Sequence, residues 1–380
     1  MWQAVSLSPR IRFLIIKRKP SLSICIPAYN RAQYLPALLD SILTQNQPEI
    51  EIVITEDNSP ERPRIARIVR EYQQRGVDCI RYFENEKTLG FDGNVRSLFE
   101  RANGDYCLMM GNDDLLCPGS LATISGLLAQ HPEVAVAIRS YGWFFDKPEE
   151  VDQVVKYFPA TTIFAPGVDT VVTFFRRVGV LAGLVFRRQD ALAVSTDRFD
   201  GTLYYQVYLA AELLLKGHGL YIADTIAICR ENKPDFGHSA AEKEKFQPGL
   251  YTSNARIVMI QSFLSIATHI DSVHNLKIYP RILKDLGNYS YFFLAFLADS
   301  RFPEFFRNYC ILGKMGLKRN LMFHLYFWSL ALFGKARCEF LIKKLRSNLN
   351  ATPRLGKLAE GISLSSANSE ASVVSPGNTK

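Results

Sequence analysis

Short apolar runs alternate with helical apolar faces along the first 140 residues. Residues 22–26 have the pattern of a buried strand that we expect Pro27 to stop, and Asn30 is placed to cap the helix that follows. The same alternation predicts strands at 49–55, 79–83, 106–110 and 134–138, and helices at 35–43, 65–72, 95–102 and 121–128.

Repeated β-α units of this length predict an α/β fold, with a mainly parallel sheet and helices on both faces. Polar clusters follow three of the predicted strands, at 28–31, 56–59 and 112–114. Because ligands of such sheets bind at the carboxyl ends of the strands, we expect these three clusters to meet in one crevice.

The rest of the chain divides by composition. Residues 141–260 are less regular, with a strand at 184–187 and a helix at 203–216, and we expect them to complete the same domain. The predicted organisation is an N-terminal extension at 1–20, two halves of one domain at 21–140 and 141–260, a basic aromatic helical region at 261–350 and a disordered tail at 351–380.

The positive charge lies near the C-terminus. The chain carries a net charge of +8, and residues 301–350 alone hold ten basic against two acidic side chains. Nucleic-acid binding would explain this charge, but no nucleic-acid-reading motif accompanies it. Basic residues next to aromatic runs are typical of a segment that lies on an anionic membrane. Helices that pack on the preceding domain and expose a solvated basic face would show the same composition. The uncharged stretch 320–334 is shorter than the roughly 20 residues that span a bilayer.

The cysteines and the N-terminus indicate the compartment. Seven cysteines form no C-x-x-C pair and mostly lie in apolar runs, which favours a reducing compartment. The apolar patch 13–16 is too short for a signal peptide, so we expect no export.

Acidic pairs at two strand ends are the candidate chemistry. Asp113 and Asp114 could hold a hard divalent cation, since Mg²⁺ is commonly bound by one or two carboxylates and phosphate oxygens. An isolated Asp-Asp pair is more often a solvated turn or a helix N-cap. Glu56 and Asp57 could accept hydrogen bonds from a base or ribose, or could form an Asx-turn before Pro60.

Five ordered motifs carry a resemblance to a known family. They are 26–31 (IPAYNR), 54–59 (ITEDNS), Asn85 with Gly90 and Asn94, 102–106 (ANGDY) and 112–121 (NDDLLCPGSL). Together they resemble the family 2 glycosyltransferases of the GT-A fold, and the segment 89–94 is similar to the abequosyltransferase-like branch that builds bacterial O-antigens. The match is strong over 21–140 and moderate to about 240.

The resemblance implies an enzyme that transfers a sugar from a nucleoside diphosphate sugar with inversion at the anomeric carbon. It implies a lipid-linked glycan acceptor and a peripheral, cytoplasmic location on the inner face of a bacterial inner membrane. Residues 21–140 would then be the nucleotide-sugar-binding half, 141–260 the acceptor-binding half and 261–350 the membrane-associating region. It also implies Mg²⁺ or Mn²⁺ at Asp113 and Asp114, although Gly111 stands where the family's first acid is expected. The residues expected to bind the nucleotide are Pro27, Tyr29, Asn30, Arg31, Glu56, Asp57, Asp92, Asn94 and Asn112.

The catalytic base is left open by the sequence. Family members often carry a Glu-Asp pair at the start of the acceptor helix, where this chain has Tyr205-Gln206. Asp200 and Glu212 are the nearest substitutes, although helix capping or a surface position would explain each of them. Because the acid pair is missing, a catalytically silent scaffold or nucleotide-sugar sensor is the alternative function.

A polar loop follows the predicted acceptor region. Arg230 and His238 flank residues 231–237, and they could close over a diphosphate or belong to a solvated loop.

Overall fold

A computed structural model describes residues 21–349, with side chains to residue 342. The predicted N-terminal extension and C-terminal tail lie outside the described residues. The strands are β1 (Leu22–Ala28), β2 (Ile50–Glu56), β3 (Ile80–Glu84), β4 (Tyr106–Met109), β5 (Leu115–Leu116), β6 (Val134–Phe144), β7 (Gln153–Val155), β8 (Thr162–Phe164), β9 (Leu184–Arg187) and β10 (His218–Arg230). The helices before the C-terminal region are α1 (Leu35–Leu43), α2 (Arg62–Gln74), α3 (Gly90–Arg101), α4 (Ser120–Gln130), α5 (Val168–Phe175), α6 (Arg188–Ala193) and α7 (Tyr205–Leu214).

The C-terminal region is helical, as the sequence predicts. Its helices are α8 (Ser253–His274), α9 (Tyr279–Asn288), α10 (Tyr291–Leu297), α11 (Phe302–Lys314), α12 (Leu321–Phe333) and α13 (Lys335–Leu349). In the part of the chain that the structure describes, no helix combines the length and apolar character needed to cross a bilayer.

One mixed sheet with parallel central strands organises the chain. The strand order is β3-β2-β1-β4-β9-β6-β10-β5, and β7 and β8 pair with β6 and β10. Strands β3, β2, β1 and β4 run parallel, as do β6 and β10, whereas β9 lies antiparallel between β4 and β6. The predicted α/β fold, with a mainly parallel sheet, flanking helices and a helical C-terminal extension, is confirmed.

Alternate residues of the central strands enter two different cores. Ile24 and Ile26 pack on the face covered by α1, α2 and α4, and Cys25 packs on the opposite face with α3, α5 and α7. Phe323 and Phe327 of α12 belong to this second core and are fully buried. Since burying such a side chain contributes roughly 1.5–3 kcal/mol, the C-terminal helices are fixed to the sheet by their inner faces.

Two local expectations for the first β-α turn were wrong. Strand β1 continues through Pro27 to Ala28, and α1 begins at Leu35 with Tyr34 as its N-cap residue, without a side-chain cap. Asn30 has a φ of 51° and Arg31 a φ of 60°, so both lie in the left-handed region. The turn directs the Asn30 amide away from α1, because its Nδ2 donates to Asp235 instead.

Candidate functional site

The three polar clusters meet at the carboxyl ends of the strands, as predicted. The Asp57 N–H donates to the Ala28 carbonyl over 3.0 Å. The Asn112 side chain donates to the Asn30 carbonyl over 2.9 Å. Arg31 donates to Asp113 over 2.8 Å. These contacts draw the ends of β1, β2 and β4 into one polar crevice.

Asp113 and Asp114 lie side by side in this crevice. Asp113 Oδ2 accepts hydrogen bonds from Arg31 and from Asn232, each 2.8 Å long. Asp114 Oδ1 accepts the backbone N–H of Arg230 at 3.0 Å. Burial, reinforced by the negative charge of Asp113, raises the pKa of Asp114 to about 8. The pair is therefore a site of unfavourable negative charge that an added cation would relieve.

Gly111 stands where the resemblance predicts the first acid of the metal-binding motif, and the backbone there has no room for a side chain. A Cβ atom at position 111 would lie 2.5 Å from Asp114 Oδ2, closer than real Cβ contacts allow. The glycine thus makes room for the Asp114 carboxylate to fold back over the backbone. An acidic side chain at position 111 would displace Asp114 from its present position.

A cavity of about 1140 Å³ opens from the acidic pair. One part of its wall belongs to the strand ends and to the segment after β10, and includes Arg31, Asp113, Asp114, Arg230 and Glu231. Another part, here called the aromatic arm, belongs to the C-terminal helices and consists of Tyr289, Phe292, Phe293, Phe296 and Tyr326. The cavity joins a charged region to an aromatic one, so it suits a ligand with both characters.

The donor set fits a hard divalent cation. Two carboxylates face one cavity with room for the phosphate oxygens that usually complete the coordination of Mg²⁺. Among residues 21–349, no cluster of three or more His, Cys, Asp or Glu side chains is arranged for metal binding. A cation here would therefore take its remaining ligands from substrate or water.

A second, smaller cavity of about 60 Å³ lies beside the predicted nucleoside-binding residues. Pro27, Tyr29, Asp57 and Asn94 line it. Asp57 accepts the Leu89 and Gly90 N–H groups over 2.8 Å, and burial raises its pKa to about 6. These four predicted residues therefore surround one space.

The segment 231–250 covers this small cavity. The His238 ring stacks on Tyr29 with a centroid distance of 4.5 Å. Asp235 accepts hydrogen bonds from Asn30 and pairs with His238, and Arg31 donates to the Lys233 carbonyl. The loop flanked by Arg230 and His238 thus packs on the turn after β1, and closure over a diphosphate stays a prediction.

Two of the acids predicted to bind the nucleotide are buried and hydrogen-bonded to other groups of the protein. Glu56 is fully buried, accepts the Asn58 and Ser59 N–H groups and pairs with Arg62 at 2.6 Å. Asp92 is 1% exposed and accepts the backbone N–H groups of residues 202, 203 and 205. Neither lines the two cavities. Their visible roles are to hold the turn after β2 and the start of α7.

The two candidates for the base also lie off the cavity wall. Asp200 forms a bidentate ion pair with Arg96, with distances of 2.5 and 2.9 Å, and Glu212 accepts from His274 at 2.9 Å. The residues lining the large cavity include neither acid. They do include Gln206, whose Oε1 is buried without a hydrogen-bond partner among the described residues. The amide therefore lies where the family's acid pair is expected.

Sequence reasoning did not identify several residues of the cavity wall. Glu231 and Asn232 follow β10, and Tyr251 and Arg256 lie at the start of α8. No motif marks them, because a long irregular connection brings them to the strand ends. The only sequence signal is that 231–237 is a polar loop after a strand.

Residues 23–178 match the profile of the family described as Glycosyl transferase family 2. Among curated proteins, abequosyltransferase RfbV of Salmonella typhimurium is 27% identical over 235 residues, or 57% of this chain and 68% of that protein. GalNAc(5)-diNAcBac-PP-undecaprenol beta-1,3-glucosyltransferase of Campylobacter jejuni is 31% identical over 106 residues, covering 28% of this chain and 33% of that protein. The chain thus spans two thirds of the first relative and a third of the second.

Similar solved structures include the S. aureus protein TarS, residues 1–349, in complex with UDP-GlcNAc. It is 13% identical with a TM-score of 0.47, covering 82% of this chain and 91% of that chain. The mannosyltransferase PcManGT from Pyrobaculum calidifontis, in complex with GDP-Man and Mn²⁺, is 16% identical with a TM-score of 0.47, covering 88% and 82%.

Proposed function

We propose that this protein moves a sugar from a nucleoside diphosphate sugar to a lipid-linked glycan in bacterial surface polysaccharide synthesis. The premise of the proposal is that residues 23–178 form a glycosyl transferase family 2 domain. The observation that carries the proposal is the single cavity that joins Asp113 and Asp114 to the aromatic arm. The names of the two relatives, an abequosyltransferase and a transferase for an undecaprenol-linked glycan, support the substrate classes. Inversion at the anomeric carbon is part of the proposal, from the family resemblance.

The acidic pair would hold Mg²⁺ or Mn²⁺ against the donor diphosphate. A bound cation supplies neutralisation of the charge that develops on the departing diphosphate. The guanidinium of Arg31 lies beside the pair and would bind phosphate oxygens, since its geometry matches that of phosphate. Asp57, with Pro27, Tyr29 and Asn94, would bind the nucleoside in the smaller cavity.

For the catalytic base, Asp200 and Glu212 remain candidates from the sequence, but each is paired away from the cavity. We propose Glu231 as the first residue to test, because its exposed side chain lines the cavity that holds the acidic pair. A general base must come within hydrogen-bond reach of the acceptor hydroxyl, and that condition favours a carboxylate on the cavity wall.

One observation favours the alternative of a catalytically silent protein. Gln206 is 1% exposed and lies on the cavity wall where the family carries acids, and an amide cannot accept the proton. A silent protein would still bind nucleoside diphosphates through the smaller cavity. Nucleotide binding is therefore expected of both an active enzyme and a silent protein, and only turnover separates the two functions.

A nucleotide titration tests the donor site. We expect at least one of UDP, GDP, CDP and dTDP to bind the full chain more tightly with Mn²⁺ and to raise its melting temperature. Asp57→Ala should weaken that binding, because it removes a carboxylate of the smaller cavity, while the exposed Asp78→Ala serves as a matched control. If none of the four nucleotides binds with or without Mn²⁺, the proposed function fails.

The outer surface of α12 supports a position on a membrane. Leu321, Leu325, Trp328 and Leu332 are spaced by four, three and four residues and are each 47% exposed or more, so they form one exposed apolar stripe. Exposed Lys314, Lys318, Arg319 and Arg337 lie near it in the chain. An apolar stripe bordered by basic side chains suits the interface of an anionic bilayer, and we propose that the protein binds there.

A further inference from the structure

Four arginines line the large cavity, and for one of them no described residue supplies a hydrogen-bond acceptor. Arg31 donates to Asp113, Arg176 to Asp285, and Arg230 to the carbonyls of residues 145 and 146. Within the described chain, no residue accepts a hydrogen bond from Arg256, and its Nε is buried without a partner. A buried, unpaired guanidinium N–H is costly, which indicates that a ligand supplies the missing acceptor.

The side chain of Arg256 is held in place by aromatic rings. Its Cζ lies 4.0 Å from the ring centroid of Tyr251 and 4.6 Å from that of Phe296. Such stacking fixes the plane of the guanidinium while leaving its N–H edge available for an anion. Phe296 belongs to the aromatic arm, so the cation lies at the border of that arm.

The position of Arg256 on its helix also favours an anion. It lies in the first turn of α8, a 22-residue helix capped by the Thr252 side chain. The N-terminus of a helix carries partial positive charge, so a cation there is unfavourable unless a negative group binds both. The helix end and the unpaired guanidinium N–H are independent features that point to the same ligand charge.

The donor diphosphate already has partners elsewhere in the cavity. The guanidinium of Arg31 and the backbone N–H of Arg230 are hydrogen-bonded to the acidic pair, so these groups form one connected site at the strand ends. Arg256 contacts the ring of Phe296 from α10 and no member of that group by a hydrogen bond. A second anion, separate from the donor diphosphate, is therefore the ligand that best matches Arg256.

We propose that Arg256 binds the phosphate of a prenyl-phosphate-type amphiphile whose hydrocarbon chain lies against the aromatic arm. This inference rests on the proposed function, because the amphiphile would be the lipid carrier of the acceptor glycan. The phosphate accepts from the guanidinium of Arg256, and the rings of Phe292, Phe293 and Phe296 cover the first part of the chain.

Titration of the full chain with farnesyl diphosphate tests the site. We expect binding to weaken about tenfold or more in Arg256→Ala and to recover partly in Arg256→Lys, because the charge is kept but the planar fork is lost. Arg281→Ala, which removes a half-exposed arginine outside the cavity, is the matched control and should bind normally. Farnesol should bind more weakly than the diphosphate, since it lacks the anion.

Parallel titration of each variant with the nucleoside diphosphate that binds best shows whether it is folded and whether the donor site is separate. We expect that affinity to be unchanged in Arg256→Ala. Equal binding of farnesyl diphosphate by wild type and Arg256→Ala would overturn the inference, as would an equal loss of nucleoside diphosphate binding. Equally tight, Arg256-dependent binding of short-chain phosphatidic acid would also overturn it, in favour of a phospholipid headgroup site. Failure of every nucleoside diphosphate to bind wild type would instead count against the proposed function.

Discussion

Individual carboxylates in this protein differ in what surrounds them, and their roles follow from those surroundings. Asp113 and Asp114 share a cavity wall and have both charged and backbone donors. Asp92 is enclosed and meets backbone N–H groups of the turn before α7. Sequence motifs place all three in one family pattern, but only contacts across the fold separate them into a candidate cation site and a structural support.

Asp92 predicts a specific dependence of stability on pH. Burial raises its pKa in the folded chain to about 7 from an ordinary value of 3.8. Between these values the folded chain holds a proton that the unfolded chain has released. The free energy of unfolding should therefore fall as pH rises from about 4 to about 7, by at most about 4 kcal/mol from this group.

Urea unfolding at pH 5 and pH 7.5 measures this contribution. Asp92→Asn should show a smaller loss of stability between the two pH values than wild type, whereas the exposed Asp78→Asn should match wild type. The amide oxygen that this substitution introduces can still accept the two N–H groups that Oδ2 accepts, so the variant should fold, with lower stability at both pH values because one N–H loses its acceptor. An identical pH dependence in wild type and Asp92→Asn would contradict the assignment.

The catalytic base gives a second prediction at the residue scale. Glu231→Gln should lower kcat by about 100-fold or more and leave donor binding unchanged, because a general base acts in the chemical step. Asp200→Asn should retain turnover, since Asp200 is paired with Arg96 and does not line the cavity. Steady-state kinetics at saturating donor and acceptor decide between them. Full turnover in Glu231→Gln with loss in Asp200→Asn would return the role to Asp200.

Sequence patterns predict the positions of local helices and strands but not the pairing of distant strands. Strands β1 to β4 and helices α1 to α4 are local units with a clear period, and their positions follow from the sequence. The antiparallel insertion of β9 between β4 and β6 depends on pairing between distant segments, which no local pattern records. The cap expected at Asn30 failed because backbone conformation at Asn30 and Arg31, rather than side-chain type, determines where α1 begins.

The exposed apolar stripe of α12 predicts that the protein binds anionic vesicles. Wild type should sediment with vesicles containing phosphatidylglycerol at low salt, and should be released by salt as the charges are screened. Leu332→Glu should reduce sedimentation, because it places a negative charge in the apolar stripe. Val273→Glu changes an exposed apolar residue of α8 outside that stripe and is the matched control.

Two results of the vesicle experiment would contradict this prediction. Equal recovery of wild type in the supernatant with phosphatidylglycerol and with neutral phosphatidylcholine vesicles would contradict membrane binding. Equal loss of binding in Leu332→Glu and Val273→Glu would show that the effect is one of net charge rather than of the stripe.

The whole molecule combines two regions that differ in composition along the chain. The sheet supplies the acidic pair, and the C-terminal helices share a core with α7 and supply the aromatic arm. The sequence predicted that the polar clusters meet at one edge of the sheet, because each cluster follows a local strand. It did not predict the shared cavity, since Tyr251, Arg256 and Phe296 come together only through packing of α8 and α10. The boundary at residue 260 between the acceptor-binding half and the basic aromatic region stays a prediction.

The release of nucleoside diphosphate during sugar transfer tests the central claim most directly. Full chain is incubated with UDP-, GDP-, CDP- and dTDP-sugars, Mn²⁺ and a prenyl-diphosphate-linked sugar, and the freed nucleoside diphosphate is measured. We expect release with one donor class, dependent on acceptor and abolished by chelation. Asp113→Asn and Asp114→Asn should each lower it by about 100-fold or more while the proteins stay folded. Wild-type release in both variants, or in the presence of the chelator, would contradict the account.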